Sequence, residues 1–179
     1  MYKGFEKYIS NYDAALADLL KASDGLSDAQ LNWKPSKKAW SIAQVHSHLL
    51  LSEKLSIKYL QKKLPYAADS KKAGIGAWWN FIRLKWALMS PLNLKAPSHV
   101  ATVPEFVSRE DLMRDWKITR VTMKALLETI PEVYATNNLY RHPLTGKFSI
   151  SNMLQFFVIH IGGHIQQVNR VKSNPDFPK

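Results

Sequence analysis

The 179-residue sequence contains no cysteine. This absence excludes disulfide bonds, a cysteine nucleophile and any metal site built from thiolate ligands. A chain without disulfides fits a reducing compartment, so we expect a cytoplasmic protein. Any thiol that takes part in its chemistry must come from a small molecule.

Long apolar runs are also missing. The richest stretch, AWWNFIRLKWALM, is interrupted by Arg83 and Lys85, and nothing approaches the run of about 18 apolar residues that a membrane-spanning helix needs. The stretch MYKGFEKYISNYDAALADLL lacks the continuous apolar core of a signal peptide. We therefore expect no transmembrane segment. With 46% hydrophobic residues, residues 1–179 are long enough to form a single domain around one core.

Acidic residues are scarce, with 14 Asp and Glu against 25 Lys and Arg and a formal net charge of +11. The excess is uneven, because residues 54–95 contain nine basic residues and one acidic residue, Asp69, which gives +8. Such a segment can attract nucleic acid, an anionic membrane face or an acidic small molecule. A solvated lysine-rich surface is the simpler interpretation, and the absence of a recognised nucleic-acid-binding motif disfavours nucleic acid.

Apolar residues recur with the 3.6-residue period of helices, and no alternating pattern predicts a strand. Ser41, Ser108 and Ser149 each precede such a segment and are expected to be helix N-caps, with Gln44 completing a capping box. The predicted long helices cover residues 3–23, 41–63, 108–130 and 149–173. A short helical turn is expected at residues 27–31.

The connection between the second and third long helices, residues 64–107, is too long to lack structure. Its aromatic stretch predicts an extra helix within residues 74–90 that ends before Pro91, with extended chain marked by Pro97 and Pro104. The tryptophans of this helix are too many to leave exposed, so we expect packing on the bundle or at a homodimer contact. The predicted fold is all-α: a four-helix bundle in which the long connection lets two successive helices run parallel.

Two histidines lie four residues apart in FFVIHIGGHIQQVNR, residues 156–170. Positions four apart on a helix differ by about 40°, so His160 and His164 share a face, and its neighbours are apolar. Buried imidazoles need partners; a divalent metal can provide them, and ordinary hydrogen bonding in the core is the alternative. Ile161 stands where the glutamate of an HExxH protease helix would be, which disfavours that chemistry.

A third candidate ligand lies on the second long helix. His48 falls on the stripe expected to face the bundle, whereas His46 lies about 200° away and is expected at an edge or exposed. One inward histidine there and two on the last helix can form a three-nitrogen metal site with open positions, as catalytic sites do. His99 and His142 are weaker candidates, and His142 is expected near the start of the last helix.

Gly162 and Gly163 separate the two histidines of the last helix. Each costs about 1 kcal/mol in a helix relative to alanine. Close packing against a neighbouring helix is the preferred explanation, and close approach of a substrate over the metal is the alternative. No Asp or Glu is evident on the predicted inward faces, so the sequence points to no catalytic carboxylate.

Two blocks of sequence carry a family motif. WSIAQVHSHLL matches the helix start W-S-x-x-x-V-x-x-H-L, and RHPLTGKFSISNMLQFFVIHIGGHIQQVNRV matches H-P-x-x-G…H-x-x-x-H-x-x-Q. With LNWKPSKKAW they cover about a third of the chain, and they resemble the DinB/YfiT-like superfamily. The resemblance implies a four-helix bundle, often dimeric, with His48, His160 and His164 as ligands of a divalent metal: zinc, nickel, iron or manganese.

The best understood members of this family are transferases or isomerases that depend on a low-molecular-weight thiol. The resemblance therefore implies a metal-dependent enzyme with a small-molecule substrate, either a thiol-dependent S-transferase or a hydrolase. One departure is Gly163, since family members often have histidine or arginine at this position. Gln167 matches the trailing glutamine of the motif, which can orient a ligand.

Two alternatives remain open at this stage. The first is a non-catalytic basic module that binds nucleic acid or another anionic partner and uses the metal as a structural support. The second is a carrier of lipid or of another apolar ligand whose aromatic helix touches membranes.

Overall fold

A computed structural model of the protein describes residues 2–89 and 102–179. Its α-helices are α1 (Glu6–Ala22), α2 (Asp28–Asn32), α3 (Ile42–Lys63), α4 (Ile75–Met89), α5 (Arg109–Glu128) and α6 (Ile150–Lys172). Short 3-10 turns cover Lys3–Phe5, Leu64–Asp69 and Glu132–Tyr134. The long helices α1, α3, α5 and α6 form the predicted four-helix bundle, and α2 and α4 are the predicted additions. Pro91, Pro97 and His99 lie outside the described residues.

Side-chain caps fix where three of the long helices begin. Ser41 Oγ accepts the Gln44 N–H, and Gln44 Oε1 accepts the Ser41 N–H, each at 3.2 Å. This reciprocal pair satisfies two backbone donors at the start of α3. Ser108 and Ser149 cap α5 and α6 in the same way through their hydroxyl oxygens. The caps predicted from sequence are confirmed at all three positions.

The long connection does allow two successive helices to run parallel. His46 on α3 contacts Trp116 on α5, and seven residues later Glu53 lies within the electrostatic reach of Arg120. The second contact therefore lies nearer the C-terminus than the first on both α3 and α5, so the two helices run parallel. Helix α1 runs antiparallel to α5, since its end is tied to the start of α5 through Ser23 and Arg109.

A small hairpin was not expected from the sequence. Strands β1 (Tyr140–His142) and β2 (Gly146–Phe148) pair antiparallel, with Tyr140 opposite Phe148. Gly146 has φ of +95°, a conformation that glycine adopts without steric cost. The prediction that the chain has no strand was therefore wrong, because three-residue strands are too short to show an alternating pattern.

Helix α4 packs through one face only. Ala77, Phe81 and Leu84 are buried against α6 and β2. Trp78, Trp79 and Trp86 are exposed by 52%, 54% and 74%. The helix is where the sequence predicts it, but packing on the bundle does not cover its tryptophans. The predicted homodimer contact stays a prediction.

His46 is fully buried, so its predicted exposure was wrong. Trp116 Nε1–H donates to His46 Nδ1 at 3.0 Å, and His46 Nε2 therefore carries the proton that it donates to Ser23 Oγ at 2.7 Å. The Ser23 hydroxyl donates in turn to the carbonyl of Leu19. Burial, followed by the nearby His164, lowers the pKa of His46 to about 4. This chain of hydrogen bonds joins α1, α3 and α5 through a neutral imidazole.

Glu53 is a buried acid that the sequence reasoning missed. It is 1% exposed, and neither carboxyl oxygen has a hydrogen-bond partner among the described residues. The nearby Arg120 donates from Nε and Nη2 to Asp13 Oδ1 instead and stacks on Tyr12 at 4.0 Å. Burial raises the pKa of Glu53 to about 8, against the smaller opposing effect of the Arg120 charge. Glu53 therefore holds a proton at neutral pH.

We expect Glu53 to make stability fall as pH rises. The unfolded carboxyl titrates near 4.5 and the folded one near 8, so between these values only the folded protein holds the proton. Each pH unit in this window then costs about 1 kcal/mol of unfolding free energy. The stability advantage of Glu53→Gln over wild type should grow from pH 5 to pH 8, as measured by urea denaturation.

The exposed Glu128→Gln is the matched control and should follow wild type at every pH. Asp13, Arg120 and Lys124 surround the same region and are present in all three proteins, so their titration cancels in the comparison. Parallel stability profiles for wild type and Glu53→Gln would contradict a neutral, buried Glu53.

Candidate metal centre

Two helices bring the three predicted histidines together. His48 lies in the second turn of α3, just after the capping box, while His160 and His164 lie on adjacent turns of α6. One nitrogen from each ring falls in a group whose members lie within 4.8 Å of one another. His48 is 4% exposed and the other two are half-buried, so the group sits at the edge of the core.

The contacts inside this group converge on His160. Its Nε2 lies 3.2 Å from Nε2 of His48 and 3.1 Å from Nε2 of His164. A ring nitrogen carries either one proton or one lone pair, so at most one of these contacts can be a normal hydrogen bond. Hydrogen bonds among the three rings therefore cannot satisfy all of the ring nitrogens that face one another.

The neutral state of the two α6 rings, His160 and His164, follows from their surroundings. Burial, and then the neighbouring His164, His48 and His142, lowers the pKa of His160 well below its usual value. Burial, and then the neighbouring His48, lowers the pKa of His164 to about 4, although the hydrogen bond that His164 donates to Gln167 opposes this. Both rings are uncharged at neutral pH, as metal ligands must be.

Neighbouring side chains hold the rings in position. Gln167 Oε1 accepts the Nδ1–H of His164 at 2.8 Å, which leaves the lone pair of His164 on Nε2, the atom that faces His160. Phe156 stacks on the His160 ring with centroids 5.1 Å apart and planes 20° apart. Trp40 contacts the His48 ring at 5.1 Å. His160 Nδ1 is buried without a partner among the described residues, so stacking is what orients this ring.

The group fits a divalent metal on both chemistry and spacing. Imidazole nitrogens are ordinary ligands of zinc, nickel, iron and similar ions. Two ligands about 2.0–2.1 Å from a tetrahedral metal lie roughly 3.3–3.4 Å apart, close to the contacts of 3.1 and 3.2 Å that His160 makes. One ion at the centre of the group would take up all three lone pairs.

The glycines of α6 do not serve close helix packing. A Cβ atom added at Gly162 or Gly163 would meet no described residue within 4 Å, so that explanation from sequence was wrong. Gly163 is exposed and lies about 60° from His160 around the helix. The chain therefore leaves open space beside the histidines on the solvent side.

His142 lies outside the three-nitrogen group. It is buried at the end of β1, close to the start of α6, as the sequence predicts. Its Nδ1 accepts the Leu144 N–H at 3.3 Å, and its ring stacks on Phe148 with planes 19° apart. Its ring also meets the edge of Phe156, which in turn contacts the rings of Phe157 and His160.

One described cavity lies away from the histidines. A space of about 280 Å³ opens near the start of α6, lined by residues such as Trp78, Ser149 and Asn152. None of the three histidines lines it. The candidate site is therefore a partly buried group outside this cavity, and Glu53, the buried carboxylate that the sequence analysis missed, is not among its members.

Comparison with known proteins places this geometry in context. The model of the DinB superfamily matches residues 11–168. The uncharacterized protein YuaE of Bacillus subtilis (strain 168) is 24% identical over 168 residues, which span 92% of this chain and 96% of YuaE. The solved structure of YfiT from Bacillus subtilis, described as a probable metal-dependent hydrolase with an unusual four-helix bundle topology, aligns with a TM-score of 0.54 and 17% identity. The alignment covers 96% of this chain and 88% of YfiT. At 17% identity, this likeness shows a shared fold.

We expect metal-free protein to bind one equivalent of Co²⁺ or Zn²⁺ through the three histidines. His160→Ala should weaken binding by more than the roughly 10–100-fold that loss of an orienting residue costs, and Gln167→Ala by about that amount. Isothermal titration and the visible spectrum of bound Co²⁺ measure both effects on protein without a histidine tag.

The control is His142→Asn, whose side-chain oxygen can still accept the Leu144 N–H. It should bind metal like the wild type. Equal affinity in wild type and His160→Ala, or no binding at all, would contradict a metal site at these residues.

Proposed function

The chain belongs to the DinB superfamily, whose model matches residues 11–168, and from this membership we propose a metal-dependent enzyme with its active site at His48, His160 and His164. Its reaction is hydrolysis of a small electrophile or transfer of a small thiol to one. The observation that carries this proposal is the convergence of three ring nitrogens within 4.8 Å of one another at a half-exposed position. YfiT, whose fold is similar, is itself described as a probable metal-dependent hydrolase.

Three donors and an open side favour catalysis over a structural role. Structural metal sites are usually closed by four protein ligands, whereas catalytic sites keep a position for water or substrate. Among the described residues, the group contains three histidines and no aspartate, glutamate or fourth histidine. Gly163 adds no side chain on the exposed side. A small molecule can therefore approach the histidines from solvent.

A divalent ion held here would supply a Lewis acid that polarises an electrophile and promotes ionisation of water or a thiol. The role of the protein is to position and orient the histidine rings. Gln167 fixes the tautomer of His164, and the Phe156 ring sets the plane of His160. The ring contacts with Trp40 and Phe156 also limit access of water from the core side.

The charge around the group favours an anionic substrate or cosubstrate. Three neutral imidazoles compensate none of the charge of a divalent ion, and the group includes no carboxylate. The positive charge of Arg170 acts on His164. Small biological thiols and their adducts carry carboxylates, which these charges attract. Since the chain has no cysteine, sulfur chemistry here requires such a cosubstrate.

We expect metal-loaded wild type to turn over small electrophiles and His160→Ala to be slower by roughly a hundredfold or more, because it loses a ligand of the catalytic ion. The assay combines a panel of electrophiles, including esters, with and without small thiols such as glutathione or bacillithiol. Turnover that requires the thiol assigns a transferase, and turnover without it assigns a hydrolase. His142→Asn is the control and should keep the wild-type rate.

Equal rates for metal-loaded wild type and His160→Ala would sink the catalytic proposal and leave any bound metal a structural role. The alternative of a basic module for nucleic acid predicts instead an affinity for nucleic acid that falls steeply with salt. An electrophoretic shift assay over a range of salt concentrations tests it independently.

We expect Gly163 to be required for substrate access rather than for folding. Gly163→Ala should raise the unfolding free energy by up to about 1 kcal/mol, because its Cβ would meet no other atom within 4 Å. Gly163→Leu should lower kcat/KM and leave metal affinity unchanged, since the larger side chain reaches over the histidines.

Asn169→Leu is the matched control for this comparison. Asn169 is exposed and lies about 180° from His160 on the same helix, so leucine there should leave kcat/KM as in wild type. Full activity of Gly163→Leu would contradict approach of the substrate along this side of α6.

A further inference from the structure

Helix α4 carries a second apolar face that the described residues leave largely exposed. It consists of Ile75, Trp78, Trp79 and Trp86, with the partly buried Ile82 between them, and will be called the aromatic face. At about 100° per residue these positions fall within a sector of roughly 100°. Ile75 is 78% exposed and Trp86 is 74% exposed. Large exposed apolar patches of this kind mark binding surfaces.

The aromatic face is presented on a rigid support. On the opposite side of α4, Phe81 packs against Phe148 with ring centroids 6.2 Å apart, and Asn80 donates to the carbonyl oxygen of Lys147 at 3.1 Å. The helix is therefore formed and anchored before any partner binds. A partner would not have to repay the entropy of folding it.

Basic side chains flank the aromatic face. By helical position, Lys85 lies about 20° beyond Trp78 on one edge and Arg83 about 40° beyond Trp79 on the other, and both are exposed. Helix α4 contains no acidic residue. Tryptophan and other apolar side chains bordered by Lys and Arg are typical of helices that lie in a membrane interface.

Charge decides between two possible occupants of this face. A second copy of the chain docked through this face would bring together two helices that each carry Arg83 and Lys85 and no acidic residue. Such like charges repel. An anionic lipid surface attracts them, by about fivefold in affinity for each cation near the surface. No helix in the described ranges combines the length and the hydropathy needed to cross a membrane, so contact with lipid would be at the surface.

We propose that the aromatic face of α4 docks on anionic lipid surfaces. The helix lies in the plane of the interface, its tryptophan rings reach the boundary between headgroups and acyl chains, and Arg83 and Lys85 meet the acidic headgroups. This surface is separate from the three histidines, so membrane docking and metal chemistry can be tested independently.

Sedimentation with vesicles of phosphatidylcholine, with or without one quarter phosphatidylglycerol, tests the proposal. Wild type should bind the anionic vesicles at least tenfold more tightly than the neutral ones, and less tightly at high salt. The triple variant Trp78→Ser, Trp79→Ser, Trp86→Ser should bind anionic vesicles at least tenfold more weakly than wild type. Circular dichroism checks that it remains folded.

The control variant removes other exposed apolar groups. Ile118→Ser with Val121→Ser changes side chains on α5 that are 55% and 63% exposed, and it should bind vesicles within about twofold of wild type, since only scattered apolar groups are lost. Lipids brominated in the acyl chain should quench the tryptophan fluorescence of wild type and of this control. They should not quench the three tryptophans that the triple variant retains.

Three results would overturn the proposal. Wild type could fail to bind anionic vesicles, or the triple variant could bind them as well as wild type does, which would indicate adsorption by charge alone. Light scattering could also detect a dimer of wild type that the triple variant does not form, without any vesicle binding, which would assign the aromatic face to a second copy of the chain.

Discussion

Polar side chains in the interior of a helical bundle must find partners there, and this constraint shapes both sides of α3. The partners of His46 are other side chains: one ring nitrogen accepts a hydrogen bond from Trp116 and the other donates one to Ser23. His48, two residues later, lies on the opposite side of α3, where it is grouped with the imidazoles of His160 and His164. The first arrangement is closed, because every ring nitrogen has its partner. In the second arrangement, hydrogen bonds among the three rings alone cannot satisfy the converging nitrogens, and three imidazoles could hold a metal ion.

The parallel course of α3 and α5 is what separates these two environments. It places the same face of α3 against α5 along its length, so that His46 meets Trp116 and Glu53 lies near Arg120. Structural polar contacts therefore collect between α1, α3 and α5. The opposite face of α3 is left for α6 and its histidines. The long connection between α3 and α5, which α4 partly fills, makes this division possible.

Local signals made much of the fold predictable, and their limits explain the errors. A serine followed three residues later by a glutamine marks the start of α3 whatever surrounds it. The four-residue spacing of His160 and His164 was enough to predict that they share one face of a helix. His46 was misplaced because α3 is buried on two sides, which a single inward stripe cannot represent. The glycines were misread because spacing does not reveal what lies opposite; only the structure has open space beside Gly163. The tryptophans of α4 were expected to be covered because composition does not reveal that a helix has two apolar faces.

The electrostatics of the histidine group bear on which molecule it would attract. Metal centres with carboxylate ligands neutralise part of the charge of their ion, whereas neutral imidazoles do not. Here the buried acid Glu53 holds a proton and lies near Arg120 of α5, and Arg170 adds positive charge near His164. A divalent ion in this group would keep its full charge at a half-exposed position in a protein of net charge +11. The absence of a carboxylate from the described group and the positive charge of Arg170 thus favour an anion as the molecule that would complete the site.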